Sequence, residues 1–215
     1  MGDNIMKFSS PKVEKCVPKE ILESFSANEF NDGIYANNIN KDIIVNSATF
    51  DSCIFENIDF SNIKLENVDL IDVVFRNCDL SNQNFDKQFI SRVTFNNCKL
   101  LGTSFIDSSL NNIEFCECSC KYINLAASKI ENLKIIDCDF SESSFSESKL
   151  KNIDFDKVKF MNAEFIMTDL KGIDFSNCDI NGIIFDSKSL NGIIINTFQA
   201  SSIVGMFGVK IKKGT

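Results

Sequence analysis

An apolar side chain occupies every fifth position of this chain from Val45 to Ile195, thirty-one positions in all, if cysteine is counted as apolar. Phenylalanine, leucine and isoleucine account for most of them. A period of five matches neither the 3.6 residues of an amphipathic helix nor the two residues of a single strand. The pattern therefore indicates a short internal repeat that continues through most of the chain.

A second restricted column lies two residues before each of these positions, and its members are small or β-branched almost throughout, as in Cys53, Ile58 and Val68. Two inward residues that flank an outward one follow the alternation of a strand. The two remaining residues of each unit then turn a corner. Asparagine tolerates turn conformations, and it is frequent at these corners: Asn57, Asn62, Asn67, Asn77, Asn82, Asn97 and Asn112.

This pattern resembles the pentapeptide-repeat family, whose unit centres on Leu or Phe, with a small residue two positions earlier and Asn or Asp just before the centre. The resemblance implies an all-β fold, a right-handed quadrilateral β-helix in which four units make one coil. The thirty-one units would make about eight coils. At a strand spacing of roughly 4.8 Å, the rod would be on the order of 40 Å long.

Positions twenty residues apart should then stack, and they share chemistry. One column is almost entirely phenylalanine, and another explains most of the cysteines as compact core residues. We expect a local distortion between Gln83 and Arg92, where Gln83 and Gln88 take inner positions and Phe89 points outward, and a similar misfit at Lys188. The two columns are Phe55, Phe75, Phe95, Phe115, Ile135, Phe155 and Phe175, and Ile58, Cys78, Cys98, Cys118, Cys138, Val158 and Cys178.

The sequence thus predicts one domain in three parts: an N-terminal segment with an irregular first coil (1–44), the β-helix (45–195) and a C-terminal tail (196–215). Both ends should cover open edges of the rod. A short helix is favoured from Lys19 to Phe25, after Pro18. In the tail, helical spacing precedes Gly208, and Val209 to Lys212 alternate as a short strand would.

The tail sequence, Asn196 to Ser201 followed by Phe207-Gly208-Val209, is similar to that of the Qnr proteins within this family, which protect DNA gyrase and topoisomerase IV. The resemblance implies a homodimer that joins two rods end to end. Several Qnr proteins carry projecting loops, for which the unbroken repeat leaves no room. Inhibition of the topoisomerase without drug protection therefore stays open. The dimer contacts implied are Phe198, Ala200, Ile203, Val204 and Phe207.

Composition argues against catalysis and against a metal or cofactor site. The chain has no histidine, so a serine or cysteine nucleophile would need another base and zinc would need thiolate or carboxylate ligands. The repeat places Cys118 and Cys120 inward and Cys116 outward, so three thiolates cannot converge. Asp154 and Asp156 are interpreted as solvated surface charges. With nine cysteines and no export signal, we expect free thiols and a cytoplasmic protein without a membrane segment.

Charge suggests the kind of partner. The chain carries a net charge of −8, and residues 45–195 hold 23 acidic and 14 basic residues. This balance argues against direct nucleic-acid binding and favours a basic protein surface. We interpret the rod as a DNA mimic that binds gyrase or topoisomerase IV; a scaffolding rod with another protein partner is the alternative. Aspartates before the repeat centre also suit local hydrogen bonding. The candidate partner-binding residues are Asp59, Asp79, Asp139, Glu142 and Asp179.

Overall fold

The structure is a computed structural model that describes residues 6–21, 24, 27–36, 41–206, 208–210 and 212. Eight strands form one sheet in chain order, and every pair of neighbours is parallel. Two further short strands pair with each other. The strands are β1 (Val17–Pro18), β2 (Phe30–Tyr35), β3 (Ile43–Glu56), β4 (Ile63–Arg76), β5 (Phe89–Asn96), β6 (Ser109–Cys116), β7 (Lys129–Ile136), β8 (Lys149–Asp156), β9 (Glu164–Phe165) and β10 (Ile184–Phe185), followed by helix α1 (Thr197–Met206).

Stacked residues lie twenty positions apart in the β3 to β8 ladders, as Phe55 does on Phe75 and Phe75 on Phe95. Isolated parallel bridges extend the same register to the other sides of each coil. The chain is therefore a parallel β-solenoid of about eight coils with a short C-terminal helix. The predicted fold class is confirmed.

Each coil has four sides, which we number from the first full coil. Face 1 comprises residues 43–47, face 2 residues 48–52, face 3 residues 53–57 and face 4 residues 58–62, together with the residues that stack on them at intervals of twenty. Most faces end at a residue with left-handed backbone, such as Asn57 with φ of 56°. Asparagine and aspartate visit this conformation at the lowest cost after glycine, which explains their frequency at the corners.

The core is a continuous apolar column inside the four faces. Tyr35, Phe55, Phe75, Phe95 and Phe115 form one ladder of stacked rings whose centroids lie 4.9–5.2 Å apart. All five side chains are fully buried. Offset stacking of aromatic rings adds to the free energy gained from burying their area. The coil register therefore brings equal side chains into contact along the axis.

The distortion expected between Gln83 and Arg92 takes a different form. Strand β5 continues in register with β4, so the chain there stays within the solenoid. Gln83 points inward and is buried, whereas the Phe89 side chain is 47% exposed. The interruption lies on face 1, where no backbone hydrogen bond joins residues 63–67 to 83–87 among the described residues.

The second expected misfit, Lys188, is resolved by a shift of one residue. Lys188 is exposed, and the neighbouring Ser189 takes the inner position in its place. The Ser189 hydroxyl accepts a hydrogen bond from the Thr168 amide at 3.3 Å. A small polar residue therefore continues the column that serine and threonine occupy in the preceding coils.

Helix α1 closes the C-terminal end of the rod. Its first turn is a capping box: the Asn196 side chain accepts from the Gln199 amide at 3.0 Å, and the Gln199 side chain accepts from the Asn196 amide at 2.8 Å. The Gln199 amide group also donates to the carbonyls of Phe175 and Cys178, both at 2.8 Å. These bonds satisfy carbonyls that the last coil would otherwise leave open.

The remaining expectations for the termini have mixed outcomes. Ile21 and Ser24 are helical, in agreement with the predicted helix, but Lys19 and Glu20 at its predicted start are not. Leu22, Glu23 and Phe25 lie outside the described residues. The predicted strand is wrong at Val209, Lys210 and Lys212, which have no regular secondary structure. The three-part division of the chain stays a prediction. The described part of the chain contains no helix with the length and hydrophobicity that a bilayer crossing requires.

Candidate protein-binding surface

The predicted acidic residues lie on face 4. Asp59, Asp79, Asp139 and Asp179 belong to one outward column, and exposed Glu142 follows at the next corner. Stacking places Asp59 directly against Asp79. The rest of the column alternates in charge, since three other residues stand between the aspartates: Lys99, Ser119 and Lys159. The structure therefore brings two of the five predicted residues together and separates the others.

These aspartates also bond to their own backbone. The carboxylates of Asp59, Asp79, Asp139 and Asp179 each accept from the amide two residues further on, at 2.8–3.1 Å. Burial alone would raise the pKa of Asp139, but hydrogen bonds from Ser141 outweigh it and hold that pKa below its usual value. Local turn formation is thus sufficient to explain why aspartate occupies this column.

Negative charge is concentrated on the other faces. Face 1 carries six acidic and two basic residues at its outward positions. Face 3 carries seven acidic and three basic residues at its outward positions. Face 2 carries five acidic and six basic residues, which include Lys129, Lys149 and Lys171. The rod is therefore electrostatically asymmetric, with its two most acidic faces on opposite sides.

An N-terminal strap, residues 6–16, runs along the boundary of faces 2 and 3. The Ser9 amide donates to the Asn112 side chain at 2.8 Å, and the Lys12 amide donates to Asp72 at 2.9 Å. The Cys16 thiol donates to the Ser52 carbonyl at 2.9 Å. Two outward side chains of face 3 beside this path, Ile54 and Val74, are only 7% exposed.

The strap changes the electrostatics of face 3. It carries three lysines and one glutamate, so it places net positive charge beside that face. Face 1 is the acidic face that no described part of the strap covers. Sequence reasoning missed the strap, whose only signal is a loose alternation of half-buried apolar residues with exposed ones: Met6, Phe8, Pro11, Val13 and Cys16.

The five residues predicted at the dimer contact divide into two sides of α1. Ile203 packs on the core of its own chain and is 9% exposed. Phe198 is 87% exposed and Val204 is 38% exposed, while Ala200 is partly exposed. Phe207 lies outside the described residues. Phe198 is therefore the large apolar side chain that the described part of α1 offers to a partner.

The cysteines have the surroundings of core residues. Cys118 and Cys120 are buried and Cys116 is half-buried, as predicted from the repeat. Burial raises the pKa of Cys53 to about 12, so this thiol is a poor nucleophile at neutral pH. Among the described residues, no three cysteine or carboxylate side chains are grouped as a metal site would require.

Comparison with known proteins agrees with the repeat. A family model described as a pentapeptide repeat region matches residues 68–138, and one described as pentapeptide repeats in eight copies matches residues 46–87 and 138–182. No curated protein sequence matches the chain.

Solved structures are similar to the chain in fold. HetL, a pentapeptide repeat protein involved in heterocyst differentiation regulation in the cyanobacterium Nostoc, is 15% identical, with a TM-score of 0.60 over 83% of this chain and 97% of HetL. Full-length QnrB1, a plasmid-mediated fluoroquinolone resistance protein, is 17% identical, with a TM-score of 0.43 over 83% of this chain and 89% of QnrB1. The repeat register, the coil geometry and the family models together place this chain in the pentapeptide-repeat family.

Proposed function

We propose that this protein is a non-catalytic rod that mimics DNA and binds a type II topoisomerase, DNA gyrase or topoisomerase IV, through the enzyme's basic DNA-binding surface. The observation that carries the proposal is the net charge of −9 on residues 45–195 of an elongated solenoid. A topoisomerase must neutralise duplex phosphates with basic side chains, and an acidic rod competes for that surface. The Qnr-like tail sequence supports this choice of partner.

We assign the contact to face 1. Faces 1 and 3 carry equal excess negative charge, but the lysines of the N-terminal strap lie beside face 3. The carboxylates of Asp107 and Glu147 on face 1 have no hydrogen bond or ion pair to another described residue, so both are available to a partner's lysines and arginines. By contrast, the aspartates of face 4 already bond to backbone amides.

The test is a supercoiling assay with purified gyrase and a decatenation assay with topoisomerase IV, each with and without a quinolone. The protein should inhibit either enzyme or relieve its poisoning. Because the contact rests on charges at a solvated interface, the effect should fall steeply with salt. Linear DNA should compete with it.

A matched pair of double variants tests the choice of face. Asp107→Lys with Glu147→Lys reverses two corner residues of face 1. Glu117→Lys with Asp137→Lys makes the same charge change on face 3, and all four residues have left-handed backbone with φ of 51–62°. The face 1 variant should lose the effect on the enzyme and the face 3 variant should keep it. Equal losses would refute the assignment to face 1, and unaffected enzymes with the unmodified protein would refute the topoisomerase proposal.

We also propose that the protein is a homodimer joined through α1. The exposed Phe198 ring is the observation behind this proposal. Phe198→Ser should shift the protein to monomer in light scattering at micromolar concentration, with the solenoid intact by circular dichroism. Deleting α1 is a poorer test because Gln199 closes the end of the rod. A monomeric unmodified protein would contradict the dimer.

A scaffolding rod with a different protein partner is the second candidate. It is favoured by the local hydrogen bonds of the face 4 aspartates, since these residues have a structural role without any topoisomerase. Recovery of another basic protein, with no effect on gyrase or topoisomerase IV, would support this alternative.

A further inference from the structure

The parallel ladder of face 1 is interrupted once near its N-terminal end. No backbone hydrogen bond joins residues 63–67 to 83–87 among the described residues, although the coils on both sides are paired. The next interface, between 82–87 and 101–106, shows what is missing. Four backbone bonds cross it, at 2.8–3.0 Å: Asn82 to Leu101, Phe85 to Ser104, Lys87 to Ile106 and Ser104 to Gln83.

The corner at Asn62 and the side chain of Gln83 account for the gap. Asn82, which stacks on Asn62, has left-handed backbone with φ of 59°, whereas Asn62 does not adopt this conformation. The Gln83 side chain takes the place of the missing backbone partners. It donates to the carbonyls of Phe60 and Ile63 at 3.1 and 2.7 Å and accepts from the Leu65 amide at 3.1 Å.

The gap opens into a cavity of about 830 Å³, which we call the notch. It lies between residues 61–67 and 81–88 and extends to Asp42. Its charged lining is mostly acidic, with five carboxylates and one lysine: Asp42, Asp59, Glu66, Asp79, Asp86 and Lys64. Lys64 is itself paired with Glu66 at 2.6 Å. An anionic ligand is therefore disfavoured in the notch.

Three backbone amides that would cross the gap have no hydrogen-bond acceptor among the described residues. These are the N–H groups of Asn62, Asn67 and Asn84, which correspond to the paired N–H groups of Asn82, Lys87 and Ser104 one coil further on. Backbone N–H groups need acceptors, and a peptide carbonyl is the acceptor that a strand ladder uses. The notch thus exposes the hydrogen-bond donors of a strand edge, and the carboxylates of its rim surround these donors.

We propose that the notch receives an extended, lysine- or arginine-containing segment of a protein partner as an added strand. The carbonyls of such a segment accept from the three amides, and its cationic side chains pair with the rim carboxylates of Asp42 and Glu66. Neither an anion nor an apolar peptide offers both features. This inference extends the proposed function. It takes from that function only the requirement that the partner is a basic protein.

Hydrogen exchange tests the geometry, with the peptide acetyl-Thr-Lys-Val-Lys-Val-Lys-Val-Thr-amide as the probe. In the free protein, the amides of Asn62, Asn67 and Asn84 should exchange faster than those of Asn82, Lys87 and Ser104. The peptide should slow the first three by about tenfold or more as they become hydrogen-bonded. Faster exchange of the second three in the free protein, or protection by the peptide away from the notch, would overturn the proposal.

Fluorescence anisotropy with the labelled peptide tests the charge requirement. Asp42→Asn with Glu66→Gln should weaken binding by about three- to tenfold. Glu131→Gln with Asp154→Asn is the matched control on other faces, because Glu131 is paired with Lys151 at 2.6 Å, as Glu66 is with Lys64. The control should leave binding unchanged. Glutamate in place of the peptide's lysines, or proline in place of its three valines, should abolish binding.

No saturable binding, equal weakening by both double variants, or undiminished binding of the glutamate peptide would each refute the proposal. The peptide experiments need no topoisomerase. If the peptide binds but the protein has no effect on gyrase or topoisomerase IV, the proposed enzyme partner is refuted and the proposal of the notch as a docking site stands. Inhibition of these enzymes without peptide binding would remove only the notch.

Discussion

The ladder of stacked rings allows a quantitative test in which one strand supplies both the substitution and its control. Phe95 is fully buried in β5, with Phe75 stacked on one side at 5.2 Å and Phe115 on the other at 4.9 Å. Truncating a buried phenylalanine costs about 3–5 kcal/mol. Each aromatic pair contributes about 0.5–1.5 kcal/mol beyond buried area. Phe95→Ala should therefore lie at the upper end of this range.

Phe89 is the control, since it belongs to the same strand but its side chain is 47% exposed. Phe89→Ala should cost about 1 kcal/mol or less. Phe95→Leu retains most of the volume and loses the stacking, so it should fall between the two. Urea unfolding followed by far-ultraviolet circular dichroism measures all three. Equal losses for Phe89→Ala and Phe95→Ala would show that the inward and outward assignment of β5 is wrong.

Three further predictions concern side chains outside that ladder. Gln83→Ala should cost about 1–3 kcal/mol in urea unfolding because three backbone groups lose their partner, and Gln88→Ala, which removes one bond, should cost less. Burial opposes ionisation of Asp72, but hydrogen bonds from Arg92 and a strap amide lower its pKa. The contribution of Asp72 to stability is therefore fully present above the unfolded pKa of about 3.9 and is lost as the pH falls through the lower folded pKa. Asp72→Asn should flatten this acid dependence and speed tryptic cleavage of the strap. Brief iodoacetamide labelling with mass spectrometry should leave Cys53 unmodified and should first modify the half-buried thiols of Cys16 and Cys116. Cys178 is also half-buried, but burial raises its pKa to about 11, so it should react later.

The sequence was sufficient to predict the regular part of the fold, because a repeat makes each position predict its neighbours in the stack. The inward Phe55 and Phe75 and the buried Cys78 follow from the five-residue period alone. The strap could not be predicted in this way. One of its contacts joins residues that lie 60 positions apart in the sequence, and another joins residues that lie 103 positions apart. Both contacts use a backbone amide, which any residue except proline supplies.

The notch left little signal for a different reason. Asn62 and Asn82 are the same residue type in the same column, yet their backbones differ. Gln83 breaks the apolar inner column, but this residue alone does not tell whether its amide fills a gap or distorts the chain. The orientation of α1 was also beyond reach, because the side on which Ile203 packs depends on how the helix rests on the last coil.

The left-handed corners have a consequence for how such a protein diverges. Non-glycine residues with left-handed backbone include Lys87, Arg92, Tyr122 and Met167, but none of those in the described part of the chain is valine, isoleucine or threonine, since β-branched side chains fit this backbone poorly. The corners therefore exclude β-branched residues but do not require any particular residue at these outward sites. During evolution, the charge and shape of the faces can change while the inner columns stay apolar. This freedom is consistent with 15% identity to HetL across the same solenoid.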